Sequence, residues 1–191
     1  MDVTELGGFA AGGRPVGPGG RQTDEQDDLQ RRSAPTIDTA RYREVLGHFA
    51  TGVAVVTTAD DDGPAGFTCQ AFNALSLEPA LVVFAPSRMS LTWPRIETTR
   101  VFCGNILSES QEALGRVFAT KSDRKFEGVG WRPGTTGSPI LHDALAWVEC
   151  RLEVAHDGGD HLVAIGRVLD MGVGKGHPLV FYRGGFGRFE A

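Results

Sequence analysis

No apolar run reaches about eighteen residues, so no stretch reads as a membrane-spanning helix. The opening residues lack a basic region followed by an apolar one, which argues against a secretory signal. Cysteine is scarce: Cys69, Cys103 and Cys150 are odd in number, far apart and without a C-x-x-C pair. They read as reduced, packed thiols of a cytosolic protein. A basic cluster is also missing. Formal charge is −5, and residues 1–40 hold seven acids against four arginines, leaving 17 acids and 15 bases elsewhere. A near-neutral domain of this kind offers no positive footprint for nucleic acid and little attraction to an anionic membrane.

Several catalytic fingerprints are absent as well. There is no G-x-S-x-G of a serine-hydrolase elbow and no G-x-x-x-x-G-K-[ST] phosphate loop. Gly184-Gly185-Phe186-Gly187 lacks the spacing of a dinucleotide-binding G-x-G-x-x-G, so a pyridine nucleotide would not be held by a Rossmann fold. Asp60-Asp61-Asp62 lacks the alternating ligands of a calcium loop and reads as a solvated turn. His156 and His161, with Asp157 and Asp160 between them, have no third ligand nearby and read as a polar hairpin turn.

What is present suits one compact domain plus a tail. Of 191 residues 41% are apolar, enough for a core. Residues 1–36 form the expected tail: seven of the first twenty are glycine and Phe9 is the only aromatic. Such a segment buries too little to offset its ordering entropy. The domain is expected over residues 37–191. Asp38 or Thr39 caps a helix with Tyr42, Val45, Leu46 and Phe49 on one face, ended by Gly52. Val53 to Thr58 reads as a buried strand, Leu81 to Phe84 as a fully buried one, and Val101 to Leu107 as another. Thr92 caps a short helix with Pro94 in its first turn, and Ser108 with Gln111 opens a second one burying Leu114, Val117 and Phe118. Residues 121–140 carry four glycines and two prolines and read as a long, functional loop. Ala146 to Val154 and Leu162 to Leu169 form a hairpin about His156–His161, and Leu179 to Tyr182 is the last strand. Many strands with few peripheral helices predict an antiparallel barrel or sandwich.

The chain is organised around Gly66-Phe67-Thr68-Cys69-Gln70-Ala71-Phe72-Asn73-Ala74-Leu75-Ser76-Leu77-Glu78-Pro79. Its first half alternates small or polar residues with apolar ones, and its second half keeps side chains small before a proline. Such a segment can lay backbone N–H groups and short hydroxyls along a flat ligand. Ser87, Ser90 and Thr92, alternating with Arg88 ahead of a helix, are what a phosphate needs, or serve helix capping alone. Lys121 and Lys125, with Phe126, could reach a diphosphate or an adenine.

Six stretches then occur in one order. They are F-A-T-G-V-A-V-V-T-T from Phe49, the central stretch, S-R-M-S-L-T from Ser87, F-C-G-N-I-L from Phe102, G-G-D-H from Gly158 and P-L-V-F-Y-R-G-G from Pro178. From about Tyr42 to Phe189 the chain resembles the flavin reductase family, the small component of two-component flavin-dependent monooxygenases. Among these it is most similar to reductases serving aromatic-ring hydroxylases, including the secosteroid-phenol hydroxylase. The resemblance implies a mostly β fold, the FMN-binding split barrel with peripheral helices, working as a homodimer. It implies an NAD(P)H-dependent flavin reductase using FAD or FMN and NADH (NADPH being the other donor), which supplies reduced flavin to a partner oxygenase.

It also implies site residues. Thr68, Cys69, Gln70, Ala71, Phe72, Leu75 and Ser76 would line the isoalloxazine and ribityl chain. Ser87, Met89, Ser90, Leu91 and Thr92 would surround the phosphate, with Asn105, Lys121, Lys125 and Phe126 nearby. His161, in the G-D-H match, would meet the dimethyl-benzene or nicotinamide side, bordered by Phe181, Tyr182, Arg183 and Gly184. Since the cofactors carry the hydride, no indispensable acid–base residue and no metal are expected. Two departures stand out: Ala80 follows Glu78-Pro79 where a second proline is usual, and Gly104 replaces a common apolar residue, loosening its strand. The other readings are a split-barrel flavoprotein that keeps its flavin for another small substrate, and a non-catalytic flavin- or haem-binding module.

Overall fold

The computed structural model describes residues 36–189. The expected tail therefore lies outside the described residues, apart from its last position. The chain divides into two units, Met1–Tyr42 and Arg43–Ala191. In the first, Asp38 performs the expected capping: its side chain accepts from the Ala40 amide at 2.9 Å and its carbonyl from Tyr42. Helix α1, Thr39–Leu46, buries none of its residues. It ends earlier than its apolar spacing predicts. Gly47 closes the last turn onto the Arg43 carbonyl, and Phe49 lies beyond it, exposed.

The second unit carries the sheets. A seven-stranded antiparallel sheet runs in the order β3-β2-β6-β9-β10-β5-β4. Its strands are β2 (Ala54–Asp60), β3 (Gly63–Cys69), β4 (Phe72–Leu77), β5 (Ala80–Phe84), β6 (Val101–Ile106), β9 (Ala146–Gly158) and β10 (His161–Val173). β3 and β5 are five steps apart in that order, about 24 Å in a flat sheet. Yet the rings of Phe67 on β3 and Phe84 on β5 lie 6.4 Å apart. The sheet therefore curls round onto itself as a split barrel. A further bond from the Ala85 amide to the Ala71 carbonyl closes the gap just past β3 and β5.

The barrel interior is apolar for the reason that strands alternate. Val56, Cys69, Val82, Phe84, Phe102, Cys150, Leu152 and Ala164 come from six of the strands and pack as one cluster with Trp93 and Ile96. Those last two belong to α2, Trp93–Thr99, which plugs one end. β5 is not fully buried as expected: Val82 and Phe84 face inward, while Leu81 and Val83 are half-buried on the outer face. Gly104 does not loosen β6. A Cβ there would fall inside the Phe72 ring, so the missing side chain is the space that the ring occupies.

A second cluster of Val53, Val55, Leu107, Phe118, Leu141 and Leu179 lies outside the barrel. It joins α3, Glu112–Phe118, to a three-stranded sheet of β1 (Thr51–Gly52), β11 (Leu179–Tyr182) and β12 (Gly185–Arg188). Ser108 and Gln111 open α3's preceding turn as expected, the Ser108 amide donating to Gln111 Oε1 at 3.1 Å. The stretch 121–140 is not a bare loop. It contains β7 (Trp131–Pro133) paired with β8 (Pro139–Leu141). Glu149, fully buried on β9, grips the turn between them by accepting from the amide and hydroxyl of both Thr135 and Thr136.

Burial pushes the Glu149 carboxyl up, but the bonds from Thr136 and Thr135 outweigh it and hold it below the usual glutamate range. A depressed folded pKa gives stability that is present above the unfolded value and lost as pH falls through the folded one. Glu149→Gln is therefore expected to cost about 1.5–3 kcal/mol at neutral pH. In urea melts the gap to the parent chain should shrink as the pH is lowered into the acid range; a gap independent of pH would contradict this.

Candidate functional site

β3 is an edge strand, and its free edge is the start of the site. The Gly66 carbonyl turns away from β2 and accepts from two groups, Thr92 Oγ1 at 3.1 Å and Lys125 Nζ at 3.1 Å. Thr68, two residues on, presents its backbone on the same edge, because hydrogen-bonding direction alternates along an antiparallel strand. Against this edge lies a groove of about 230 Å³. One wall is Phe67, Thr68 and Ala85. Another is the segment carrying Ser87, Met89, Ser90 and Leu91. The third is the end of α3 from Phe118 to Lys121, with Lys125, and His161 stands at the hairpin side.

The walls are tied by specific bonds. Thr68 Oγ1 donates to the Gly115 carbonyl of α3 at 2.6 Å. Lys125 Nζ also donates to the Phe118 carbonyl at 3.2 Å, and burial lowers its ammonium pKa. The Ser87 segment bridges to His161 as a strand would, with the Arg88 amide on Asp160 and the Leu162 amide on Pro86. Gly159, at φ +83°, and Asp160 form the two-residue turn that brings the hairpin tip there. His161 Nδ1 pairs with Asp160 Oδ1 at 2.8 Å, which holds that carboxyl below the usual aspartate range. Arg88 does not join the groove lining where its spacing put it. Its guanidinium turns to the hairpin, on the Gly159 carbonyl at 2.8 Å and on Asp157.

Ser90 and Thr92 divide their roles. Ser90 Oγ accepts from the amides of Thr92 and Trp93, both at 3.3 Å, so it caps α2 while its own proton stays available. Thr92 is buried, does not cap the helix, and gives its proton to Gly66. Ser87 Oγ likewise accepts from the Met89 amide at 3.2 Å, so an anion in the groove meets the hydroxyls of Ser87 and Ser90, the exposed Lys121 and the remaining proton of Lys125. Beside them Phe67, Met89 and Leu91 give a planar ring an apolar surface.

Of the expected residues, Thr68, Ser87, Met89, Ser90, Leu91, Lys121, Lys125 and His161 line this groove. Thr92 and Phe126 line a smaller cavity beside it, which shares Leu91 and Lys125. The side chains of three other expected residues pack into the interior. Cys69 is buried in the barrel, its thiol on backbone carbonyls and pushed up to about 11 by burial. The Phe72 ring points inward over Gly104. Asn105 is fully buried, its amide donating to Val55 and Pro139 carbonyls and accepting from Leu141, so it joins β2, β6 and β8. Gln70 and Ala71 lie along the turn to β4, Ala71 bonded to the groove residue Ala85, and Leu75 and Ser76 lie on β4; none of the four lines the groove. Phe181, Tyr182, Arg183 and Gly184 lie on the separate three-stranded sheet, with Tyr182 against His48. Conversely, Phe67, Ala85, Phe118, Ala119 and Thr120 line the groove without having been expected there.

Residues 46–190 match the family model described as a flavin reductase like domain. The chain belongs to that family. It is 47% identical over 159 residues to the reductase subunit HsaB of a flavin-dependent monooxygenase from Rhodococcus jostii, spanning 83% of this chain and 82% of that one. The crystal structure of a homologue of nitrilotriacetate monooxygenase component B from Mycobacterium thermoresistibile is 41% identical. It superimposes with a TM-score of 0.76 over 86% of this chain and 89% of that one. The NADH:FAD oxidoreductase SgcE6 of Streptomyces globisporus, solved with NAD and FAD fragments, is 31% identical with a TM-score of 0.77, covering 82% and 98%.

FMN and riboflavin, which differ by one phosphate, separate the two hydroxyls of this flavin reductase-like groove. Ser90→Ala should weaken FMN by about 1.5–3 kcal/mol, tenfold or more, and leave riboflavin nearly unchanged. Thr92→Val should instead lower the melting temperature and affect both flavins alike. Equal loss of FMN and riboflavin on Ser90→Ala, in fluorescence titrations, would reduce Ser90 to a helix cap.

Proposed function

We propose that this chain is an NAD(P)H-dependent flavin reductase that supplies reduced flavin to a separate flavin-dependent oxygenase of aromatic, phenolic substrates. The observation that carries this is the groove of a flavin reductase-like domain in which hydroxyl and ammonium donors at one end adjoin an apolar surface and a histidine. When bound together, the cofactors supply the chemistry, a hydride passing from nicotinamide C4 to flavin N5. The protein's part is orientation. The edge of β3 at Thr68 hydrogen-bonds the ring system, Phe67 and Met89 pack on it, and Ser90, Lys121 and Lys125 hold the phosphate. His161, fixed by Asp160, faces the ring or nicotinamide side.

NADH is the donor and FAD or FMN the acceptor in this reading, and the enzyme works in the cytoplasm. Its three cysteines are free and buried, and no helix among the described residues is long and apolar enough to cross a membrane. Purified protein should oxidise NADH only when flavin is added, with a rate that saturates in flavin. An absence of NADH oxidation with both FAD and FMN would remove the reading.

The enzyme pairs with a second copy of itself. Val83, Ile165 and Val154 lie in register across β5, β10 and β9 on the outer face of the barrel. Val163, two residues before Ile165 on β10, extends that face and is more than a third exposed. An apolar surface crossing several strands is what a partner subunit covers. Sedimentation should give twice the chain mass of 20.4 kDa. The Val154→Asp, Val163→Asp double variant should sediment as a monomer, whereas a monomeric parent chain would refute the pairing.

A further inference from the structure

A cleft of about 310 Å³ opens where β7 and β8 meet the base of the β9–β10 hairpin. It shares no lining residue with the groove or with the smaller cavity beside the groove. We propose that this cleft is a second ligand site, for a small aromatic monocarboxylate that also carries a hydroxyl group. Its rim is set before any ligand arrives. The Leu141 amide donates to Asn105 Oδ1 at 2.8 Å and the His142 amide to the Gly130 carbonyl at 3.0 Å. The His142 carbonyl accepts from Gln111 Nε2 at 2.8 Å, and across the cleft the Gly174 amide donates to Leu145 at 2.7 Å.

The charges select the occupant. The Arg132 guanidinium lies 5.3 Å over the Trp147 ring, and among the described residues no carboxylate pairs with it. Stacking uses the face of a guanidinium and leaves its in-plane N–H groups for a planar two-oxygen anion. Trp147 is held in place by its strand neighbour Gly172, where a Cβ would fall 2.6 Å from the indole Nε1, so a larger residue would push the ring away. Asp143, at φ +59° just past β8, lines the same cleft without pairing with Arg132. Its carboxylate repels a second negative charge, which disfavours a diphosphate or other polyanion. It accepts from a hydroxyl, so one carboxylate and one hydroxyl on the ligand match the two poles. Between them the buried Ile140, Leu141 and Ala144 give an apolar floor, and His142 a flat ring to stack on. An aromatic body keeps the ligand's two polar groups rigidly apart, so little is lost in ordering it between fixed walls.

Equilibrium dialysis of para-hydroxybenzoate against the full chain, with and without saturating FMN, tests this. The parent should bind it with a Kd of about 1 mM or tighter, and FMN should not compete. Benzoate, which lacks the hydroxyl, should bind several-fold more weakly. Phenol, which lacks the carboxylate, should bind more weakly by about tenfold or more. Arg132→Gln should weaken para-hydroxybenzoate by about tenfold or more. Asp143→Gly removes the acceptor and suits the left-handed backbone, so it should bring para-hydroxybenzoate down to the affinity of benzoate. Both residues are exposed and lie outside the groove, so both variants should fold and bind FMN as the parent does. No binding up to about 10 mM overturns the proposal. So does displacement by FMN, which would put the ligand in the groove, or unchanged binding in Arg132→Gln. Inorganic phosphate bound as tightly as para-hydroxybenzoate would also overturn it, reducing Arg132 to a surface cation. The measurement uses no NADH, so its outcome is separate from that of the reductase assay.

Discussion

One carbonyl oxygen, that of Gly66, holds three parts of the site in place. It accepts from Thr92 at the entry to α2 and from Lys125 in the long segment after α3. The residue must be glycine because α3 packs directly on it. A Cβ would lie 2.9 Å from Phe118 Cε1 and 3.0 Å from the Val56 carbonyl. Edge strands usually need protection from further pairing. Here the edge is covered by a helix end, a threonine and a lysine, and what remains open beside Thr68 is the groove. The same arrangement that guards β3 therefore also builds the binding surface.

The local charge of the site differs from that of the chain. The sequence is net acidic, yet among the described residues Lys121 and Lys125 line the groove and no carboxylate does. Of the acids near it, Asp160 is held by His161 and Asp157 by Arg88, while Asp123 lines the smaller cavity beside the groove. Arg95 is likewise held by Asp60, whose carboxyl it keeps below the usual range. A weakly positive groove on an acidic protein attracts a phosphate without recruiting polyanions broadly, in line with the absence of any basic cluster.

The architecture was largely legible in the sequence, because strand alternation, the Gly63 turn and the Ser108–Gln111 box each have local signals. Half of the groove was legible too, through Thr68, the Ser87–Leu91 segment and His161. Three of the expected side chains turn inward for one cause. In Cys69, Phe72 and Asn105 the residue type fits either face of a strand, and only the sheet's closure decides which face is inside. Phe72 in particular points inward because Gly104, on a different strand, leaves room for it. The contribution of Ala119 and Thr120 had no sequence signal at all. They reach the groove because the Thr68 hydroxyl pins α3, 47 residues later, onto β3. The β7–β8 pair was hidden by its prolines and glycines, and it exists because Glu149 supplies acceptors for its turn.

How firmly the long segment after α3 is held bears on what the site can do. It is anchored near its start by Lys125 and near its end by Glu149, with Phe126 packed edge-on against Phe118 and at 6.1 Å from Trp131. A segment fixed at three points forms a wall, not a lid, so the groove exists before ligand arrives and binding need not order a loop. Its outer side stays open, since Met89, Leu91 and Lys121 are exposed. For an enzyme that must hand on its reduced flavin after each turnover, this combination is suitable. Preformed walls orient two ring systems, and the open side lets the product leave without a slow opening step. Tight retention of the flavin would require the opposite, a covered groove with buried ligands for the whole ring.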